Sequence, residues 1–133
     1  MTVYRLAESA AVLGVSDDTI RRWAEHGRVR TTSTTSGALG IDGRDLAALA
    51  AERAGVTPAA AAAATSTSAR NRLTGIVTDV VRDTVMAKVE LVCGPYRVVS
   101  LMSREAADSL GLEPGVLADA VVKATTVVVE LPS

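Results

Sequence analysis

The feature that most constrains this chain is a change of hydrophobic period part-way along it. Before residue 55, apolar side chains recur every three or four positions. They are Leu6, Ala7, Ala10, Ala11 and Leu13, then Ile20, Trp23 and Ala24, then Leu46, Leu49 and Ala50. Such spacing lays one apolar stripe along a helix. From Leu73 onward the period drops to two: Val85, Ala87, Val89 and Leu91 point one way, Lys88 and Glu90 the other. Only a pleated strand sends successive side chains to opposite faces. The two periods predict an α+β chain of two small domains, a mostly helical one at 1–55 and a β-rich one at 67–133. Residues 56–66 read as an alanine-rich linker. Its run Ala59–Ala64 has high helix propensity but is too short to be a stable helix alone, so a short helix or a hinge is expected there.

Local signals place the elements. Gly14-Val15 interrupts the first helical stripe, and Ser16 stands at an N-cap position ahead of Asp17 and Asp18. Gly27 is expected to end the second helix. A short extended piece, Val29–Thr31, and a Ser/Thr/Gly loop, Thr32–Gly40, come next. Asp42 then caps a last helix that runs to Gly55. In the second half, Gly94-Pro95 and Pro114-Gly115 mark turns. Val98, Val99 and Leu101 begin a strand, residues 103–110 form a small helix capped by Ser103, and Gly111 ends it. Ala118–Ala124 and Val127–Leu131 supply the closing strands. Short strands with one small helix predict an OB-like five-stranded β-barrel.

Composition narrows the function classes. Aromatic residues are 2% of the chain, so the flat platforms on which single-stranded nucleic acid stacks are missing. The net charge of −1 argues against a general polyanion binder. There is one cysteine, Cys93, read as a buried strand residue, and one histidine, His26, read as sitting at a helix C-terminus. Neither makes a disulfide or a metal site by itself. With no phosphate-cradling glycine loop either, an enzyme is not expected. No apolar run reaches the length of a signal peptide or a membrane span, and a cytoplasmic protein is expected.

Tyr4-Arg5-Leu6-Ala7-Glu8, Leu13-Gly14-Val15-Ser16, Thr19-Ile20-Arg21-Arg22-Trp23 and Gly27-Arg28-Val29 together resemble the MerR and excisionase-type winged helix-turn-helix. The resemblance implies a double-stranded DNA partner, with the second helix in the major groove. Candidate contacts are Thr19, Arg21 and Arg22 on that helix, with Arg5 and Arg28 toward phosphates. Trp23 is read as core. The wing here is Thr32-Ser33-Thr34-Thr35-Ser36-Gly37-Ala38-Leu39-Gly40, without the basic residues usual in the family. Residues 1–55 carry seven arginines (5, 21, 22, 28, 30, 44, 53) and seven acids (8, 17, 18, 25, 42, 45, 52), so their charges cancel.

Thr67-Ser68-Ala69-Arg70-Asn71 resembles the opening motif of the molybdate-binding Mop domain, also called molbindin or TOBE. Further pieces follow in order: Gly75-Ile76-Val77, Thr84–Val89, Leu110–Gly115 and Val122-Lys123-Ala124-Thr125. The resemblance implies a bound molybdate or tungstate, held in the family by Ser68 and Arg70, by a hydroxyl at the small helix, here Ser103, and by Lys123. It also implies sites between subunits of a homo-oligomer, a dimer or a hexamer built as a trimer of dimers. The chemistry of the residues agrees. A tetrahedral dianion offers acceptors only, so it needs fixed positive charge and a cage of N–H and O–H donors. Arg70 and Lys123 supply charge. Ser68, Ser103 and Thr125 supply hydroxyls, and the backbone around Ala69 and Ala124 supplies amides. One family serine is replaced by Ala106, a lost donor worth ~1.5–3 kcal/mol.

Two functions fit. One is a molybdate- or tungstate-responsive DNA-binding regulator of molybdate homeostasis. The alternative is an oligomeric molbindin for storage, its helix-turn-helix used for oligomerisation or protein docking.

Overall fold

The computed structural model describes residues 2–55 and 68–132. The expected helix or hinge at Ala59–Ala64 lies outside them. The chain divides into two compact units, 1–64 and 65–133.

The first unit contains β1 (Val3–Arg5), α1 (Leu6–Leu13), α2 (Asp17–Glu25), β2 (Thr32–Ser33), β3 (Leu39–Asp42) and α3 (Gly43–Ala54). Gly14 ends α1 at φ 69°, a left-handed conformation that costs glycine nothing. Two residues later the Ser16 hydroxyl accepts the Thr19 N–H at 3.1 Å and starts α2. Asp42 does the same for α3, its carboxylate accepting the Arg44 N–H at 2.8 Å. The three strands form an antiparallel sheet ordered β1-β3-β2, with Tyr4 opposite Ile41 and Thr32 opposite Gly40. This sheet departs from the sequence reading, which placed an extended piece at Val29–Thr31 and a loop over Thr32–Gly40. Strands of two to four residues are too short to display a period, and Val29 is instead a buried core residue outside any strand.

Ala10, Ile20, Val29, Ile41, Leu46 and Leu49 form the core, with Trp23 packed against it and half-buried. Ile20 and Ile41 are wholly inaccessible, which stabilises the fold by about 1.5–3 kcal/mol each. Buried Ser9 donates its hydroxyl proton to the Arg5 carbonyl at 3.0 Å, so no polar group is stranded there. The guanidinium carbons of Arg28 and Arg53 lie 4.4 and 5.3 Å from the Trp23 ring centroid.

The second unit contains β4 (Asn71–Arg82), β5 (Met86–Cys93), β6 (Tyr96–Ser103), α4 (Arg104–Ser109) and β7 (Leu117–Val122). They make a curled antiparallel sheet ordered β6-β5-β4-β7. β4 serves both halves: Asn71 to Ile76 pair with β7, and Ile76 to Arg82 pair with β5. The register slips between Val77 and Asp79, a bulge that bends the strand. Ala87, Val89, Leu91 and Cys93 point inward from β5, so the period of two and the burial of Cys93 both appear. Val85 lies outside the strand and is exposed. At Gly75 an added Cβ would stand 2.4 Å from the Val92 carbonyl oxygen and 2.6 Å from the Cys93 sulfur. The close approach of β4 to β5 therefore requires glycine. Arg82 binds α4 and the following loop to the end of β4, donating to Asp108 at 2.9 Å, to the Leu112 carbonyl at 2.9 Å and to Glu113 at 3.1 Å.

The five-stranded barrel is corrected in one respect: among the described residues this sheet has four strands. A 3-10 turn at Ala124–Thr126 ends the β7 course, and Val127–Leu131 enters no sheet. Its Val128, Val129 and Leu131 are 81, 87 and 91% exposed. Apolar periodicity signalled a strand, but among the described residues the segment finds no partner edge. A groove of ≈ 360 Å³ meanwhile opens over the core between β6 and β7, lined by Val98, Met102, Ala118 and Ala120 among others.

Candidate functional site

Asn71 and Val122 are the last pair of the β4–β7 ladder, and the Asn71 amide donates to the Val122 carbonyl at 3.1 Å. One residue beyond them on each strand stand Arg70 and Lys123. The register thus brings two cations 53 positions apart in sequence to one end of the sheet. Ser68 and Ala69 lead into this end. Lys123, Ala124 and Thr125 leave it through the 3-10 turn, where the Lys123 carbonyl accepts both the Thr126 N–H at 3.0 Å and its hydroxyl at 2.8 Å. Ser68, Arg70, Lys123, Ala124 and Thr125 are exposed, and Ala69 is half-buried.

Alternation along the strands puts Arg70, Arg72 and Thr74 of one strand on the same face as Lys123, Val121 and Asp119 of the other. Arg72 and Asp119 were not singled out in the sequence. Asp119 accepts from Thr74 at 2.7 Å and from Arg72 at 3.1 Å. These bonds hold its carboxyl below the usual carboxylate range, Thr74 contributing most. The Asp119 carboxylate is thereby occupied, four residues along each strand from the paired cations, which limits its repulsion of an anion. Only the register, which pairs Thr74 with Asp119, could have revealed this.

Ser103 lies elsewhere. It pairs with Met86, beside the far end of β4, so the twelve-residue length of that strand separates it from Arg70. At a strand rise of about 3.3 Å per residue the path is of the order of 35 Å. Its hydroxyl accepts the Ala106 N–H at 3.1 Å and caps α4. A depression of ≈ 520 Å³ beside it is lined by Thr84, Val85, Arg104 and Glu105 among others. Within one chain, the structure gathers Ser68, Ala69, Arg70, Lys123, Ala124 and Thr125, and leaves Ser103 at the opposite end.

The five candidate DNA-contacting residues divide as well. Arg5 at the end of β1 and Arg21 on α2 line one groove of ≈ 530 Å³, together with Glu25, Thr31, Ala38 and Leu39. Arg22 is exposed on α2 outside that groove. Thr19 is half-buried, its hydroxyl 2.9 Å from that of Ser16, and so belongs to the helix cap. Arg28 lies over Trp23. His26 is the C-cap residue of α2. Among the described residues no three His, Cys, Asp or Glu side chains are grouped to hold a metal ion, and no helix is long and apolar enough to cross a membrane.

Comparison with known families supplies the identification of the second unit. Residues 67–129 match the model of the TOBE domain. This segment is a TOBE domain. Among solved structures, the chain is similar to a molybdate-binding protein from Sporomusa ovata, 33% identical, covering 50% of this chain and 100% of that one, with a TM-score of 0.48. MopII from Clostridium pasteurianum is 36% identical over 50% of this chain and 100% of its own, with a TM-score of 0.46. ModG, a cytoplasmic molybdate-binding protein solved with molybdate bound, is 39% identical over 47% of this chain and 45% of its own, with a TM-score of 0.43. These matches are to binding proteins rather than enzymes. No curated protein matches the chain. The TOBE match begins next to Ser68 and ends beyond Thr125, so both arms of the paired-cation end lie inside it.

Proposed function

We propose that the TOBE domain of this protein binds molybdate or tungstate, and that the chain is a cytoplasmic, DNA-binding regulator of molybdate homeostasis. The observation that carries the anion reading is the placement of Arg70 and Lys123 on adjacent strands at one end of the β4–β7 ladder. Two fixed positive charges there, flanked by the hydroxyls of Ser68 and Thr125 and the amides near Ala69 and Ala124, suit a dianion with four acceptor oxygens. Molybdate is also the anion named for the Sporomusa ovata protein and for ModG.

The separation of Ser103 from that end supports a homo-oligomer. One chain offers two partial donor sets, and a second copy, turned to bring its Ser103 end to the Arg70 end of the first, completes a shell. Val127–Leu131 supports the same reading: an apolar segment that joins no sheet among the described residues fits the groove between β6 and β7 of a neighbour. A dimer satisfies both requirements, and three dimers make a hexamer.

DNA binding rests on the first unit, read as a winged helix-turn-helix. Helices α1 and α2 are joined by a tight turn at Gly14–Ser16, α2 exposes Arg21 and Arg22, and Arg5 shares a groove with Arg21. Bound anion would favour one subunit arrangement and so set the spacing of the DNA-reading units. The storage alternative is favoured by the cancelling charges of residues 1–55 and by the wing at 32–40, which carries no basic residue.

Calorimetry of the full chain with molybdate tests the anion site. Arg70→Ala and Lys123→Ala are each expected to weaken binding about ten- to hundred-fold, since each removes a charge-assisted donor. Unchanged affinity in both variants would refute the assigned site. A mobility-shift assay with promoter DNA of molybdate-uptake genes, with and without molybdate, separates regulator from store: the store binds no DNA.

A further inference from the structure

Arg28-Val29-Arg30-Thr31-Thr32-Ser33 places arginines five and three residues before Ser33, and no other Ser or Thr of the chain has both. Arg28, Arg30 and Ser33 are exposed, while Val29 between the arginines is buried and anchors the segment. Arg30 bonds Asp45 at 2.9 Å with its side chain 85% exposed, so this pair is exchanged for another carboxylate at little cost. β2 is an edge strand of two residues, paired only with β3. So short a ladder opens easily. The Ser33 hydroxyl makes no hydrogen bond among the described residues, whereas those of Thr34 and Ser36 bond each other at 3.0 Å. Leu39 stands opposite Ser33, and Leu39 and Thr31 both line the groove of Arg5 and Arg21. Alternation puts the Ser33 side chain on the face of Thr31 and Leu39, at that groove. Arg5 and Arg21 make no ion pair among the described residues, and Glu25 is the opposing charge there.

We propose that Ser33 is a phosphorylation site of an arginine-directed Ser/Thr protein kinase, and that its phosphate settles on Arg21. Kinases choose substrates by charge pattern, and Arg28 and Arg30 suit a cleft lined by carboxylates. The reaction takes the γ-phosphoryl group of a nucleoside triphosphate. A bond forms between phosphorus and Ser33 Oγ, the bond from phosphorus to the β–γ bridging oxygen breaks, and the nucleoside diphosphate leaves. The hydroxyl proton passes to the catalytic carboxylate of the kinase. The product carries about −1.5 to −2 charge at neutral pH. Arg5, Arg21 and Glu25 together leave one surplus positive charge, so the groove turns from cationic to anionic. The phosphate oxygens accept charge-assisted bonds from Arg21, and the altered groove repels a polyanion. The modification itself does not depend on DNA binding: it needs Ser33 with Arg28 and Arg30, and no duplex.

The test treats the full chain with a purified arginine-directed Ser/Thr kinase and ATP, and reads the product by intact mass and phosphopeptide mapping. One phosphoryl group on Ser33 is expected in the parent chain and in Thr32→Val, and none on that peptide in Ser33→Ala. Arg28→Gln and Arg30→Gln, shown folded by circular dichroism, are each expected to lower kcat/KM for phosphorylation about ten-fold. No incorporation by the parent chain, equal incorporation by Ser33→Ala, or an unchanged kcat/KM in both arginine variants would overturn the proposal. Phosphorus NMR of the product then reads the groove. The second phosphate pKa, about 6 for a solvated phosphoserine, is expected to fall in the parent chain, because a nearby cation favours the dianion. In Arg21→Gln it is expected to return toward the solvated value. The same pKa in both chains would remove Arg21 from the site.

Discussion

The two units solve the same packing problem to different degrees. The first closes on itself: α2 and α3 begin at side-chain caps, α1 ends at Gly14, and the sheet edge is a short hairpin over a core centred on Ile20 and Ile41. Among the described residues the TOBE domain leaves two apolar surfaces uncovered, a groove between its edge strands and an exposed C-terminal segment. A helical stripe can be buried by neighbours close in sequence. A barrel closes only when its first and last strands meet, and here the last strand-forming segment follows a 3-10 turn and stays outside the sheet. The first unit covers its own core, whereas the TOBE domain leaves apolar surface exposed, which fits the proposed homo-oligomer.

The comparison breaks most decisively at the C-terminus. Val128→Asp with Val129→Asp places two charges where an apolar strand is to be covered. The expected result is loss of the oligomer in native mass spectrometry and of molybdate binding with it, while the first unit keeps its helical signal. Retention of the wild-type subunit number would show that Val127–Leu131 has no part in assembly. A smaller effect is expected at Gly75→Ala. Its Cβ meets backbone, so β4 must move, at a cost of about 1–3 kcal/mol, read as an earlier denaturation midpoint of the TOBE domain alone. An unchanged midpoint would show that the two strands separate freely.

The smallest effect concerns acid. Asp83, Glu90 and Asp119, all in the second unit, titrate below their ordinary range. The Met86 and Val85 amides act on Asp83, the Arg97 guanidinium on Glu90, and Thr74 with Arg72 on Asp119. A carboxylate whose folded pKa is depressed stabilises the fold above its unfolded pKa of about 4, and that contribution fades as pH falls through the lower folded value. In the first unit the one resolved shift is Arg30, raised chiefly by its hydrogen bond to Asp45, and a raised cation loses nothing on acidification. Thermal melts followed from neutral pH to about pH 3 should therefore show the TOBE domain losing more stability than the first unit. Asp119→Asn should narrow the gap slightly, because these groups are solvent-exposed. Equal losses in the two units would contradict this assignment.

Much of this was legible in the sequence, for reasons that differ by residue. Ser16 and Asp42 are short polar residues just ahead of apolar stripes, so the caps are local and readable. Ala87, Val89 and Leu91 face one core, and the alternation records it directly. The β1-β3-β2 sheet was not legible, because Val3–Arg5 and Thr32–Ser33 are too short to show a period. Val127–Leu131 was read correctly as apolar but wrongly as part of its own sheet: periodicity says that a surface seeks cover, not which chain provides it. Arg70 and Lys123 were picked out by chemistry and family resemblance. Their adjacency, the distance to Ser103 and the Thr74–Asp119–Arg72 arrangement depend on strand register, which no short stretch of sequence encodes.

The arginines over Trp23 have a practical consequence. This is the sole indole of the chain, it sits in the first unit, and the proposed oxyanion site belongs to the other. Dimming or brightening of its emission upon adding molybdate would therefore report on the unit that does not carry the proposed site.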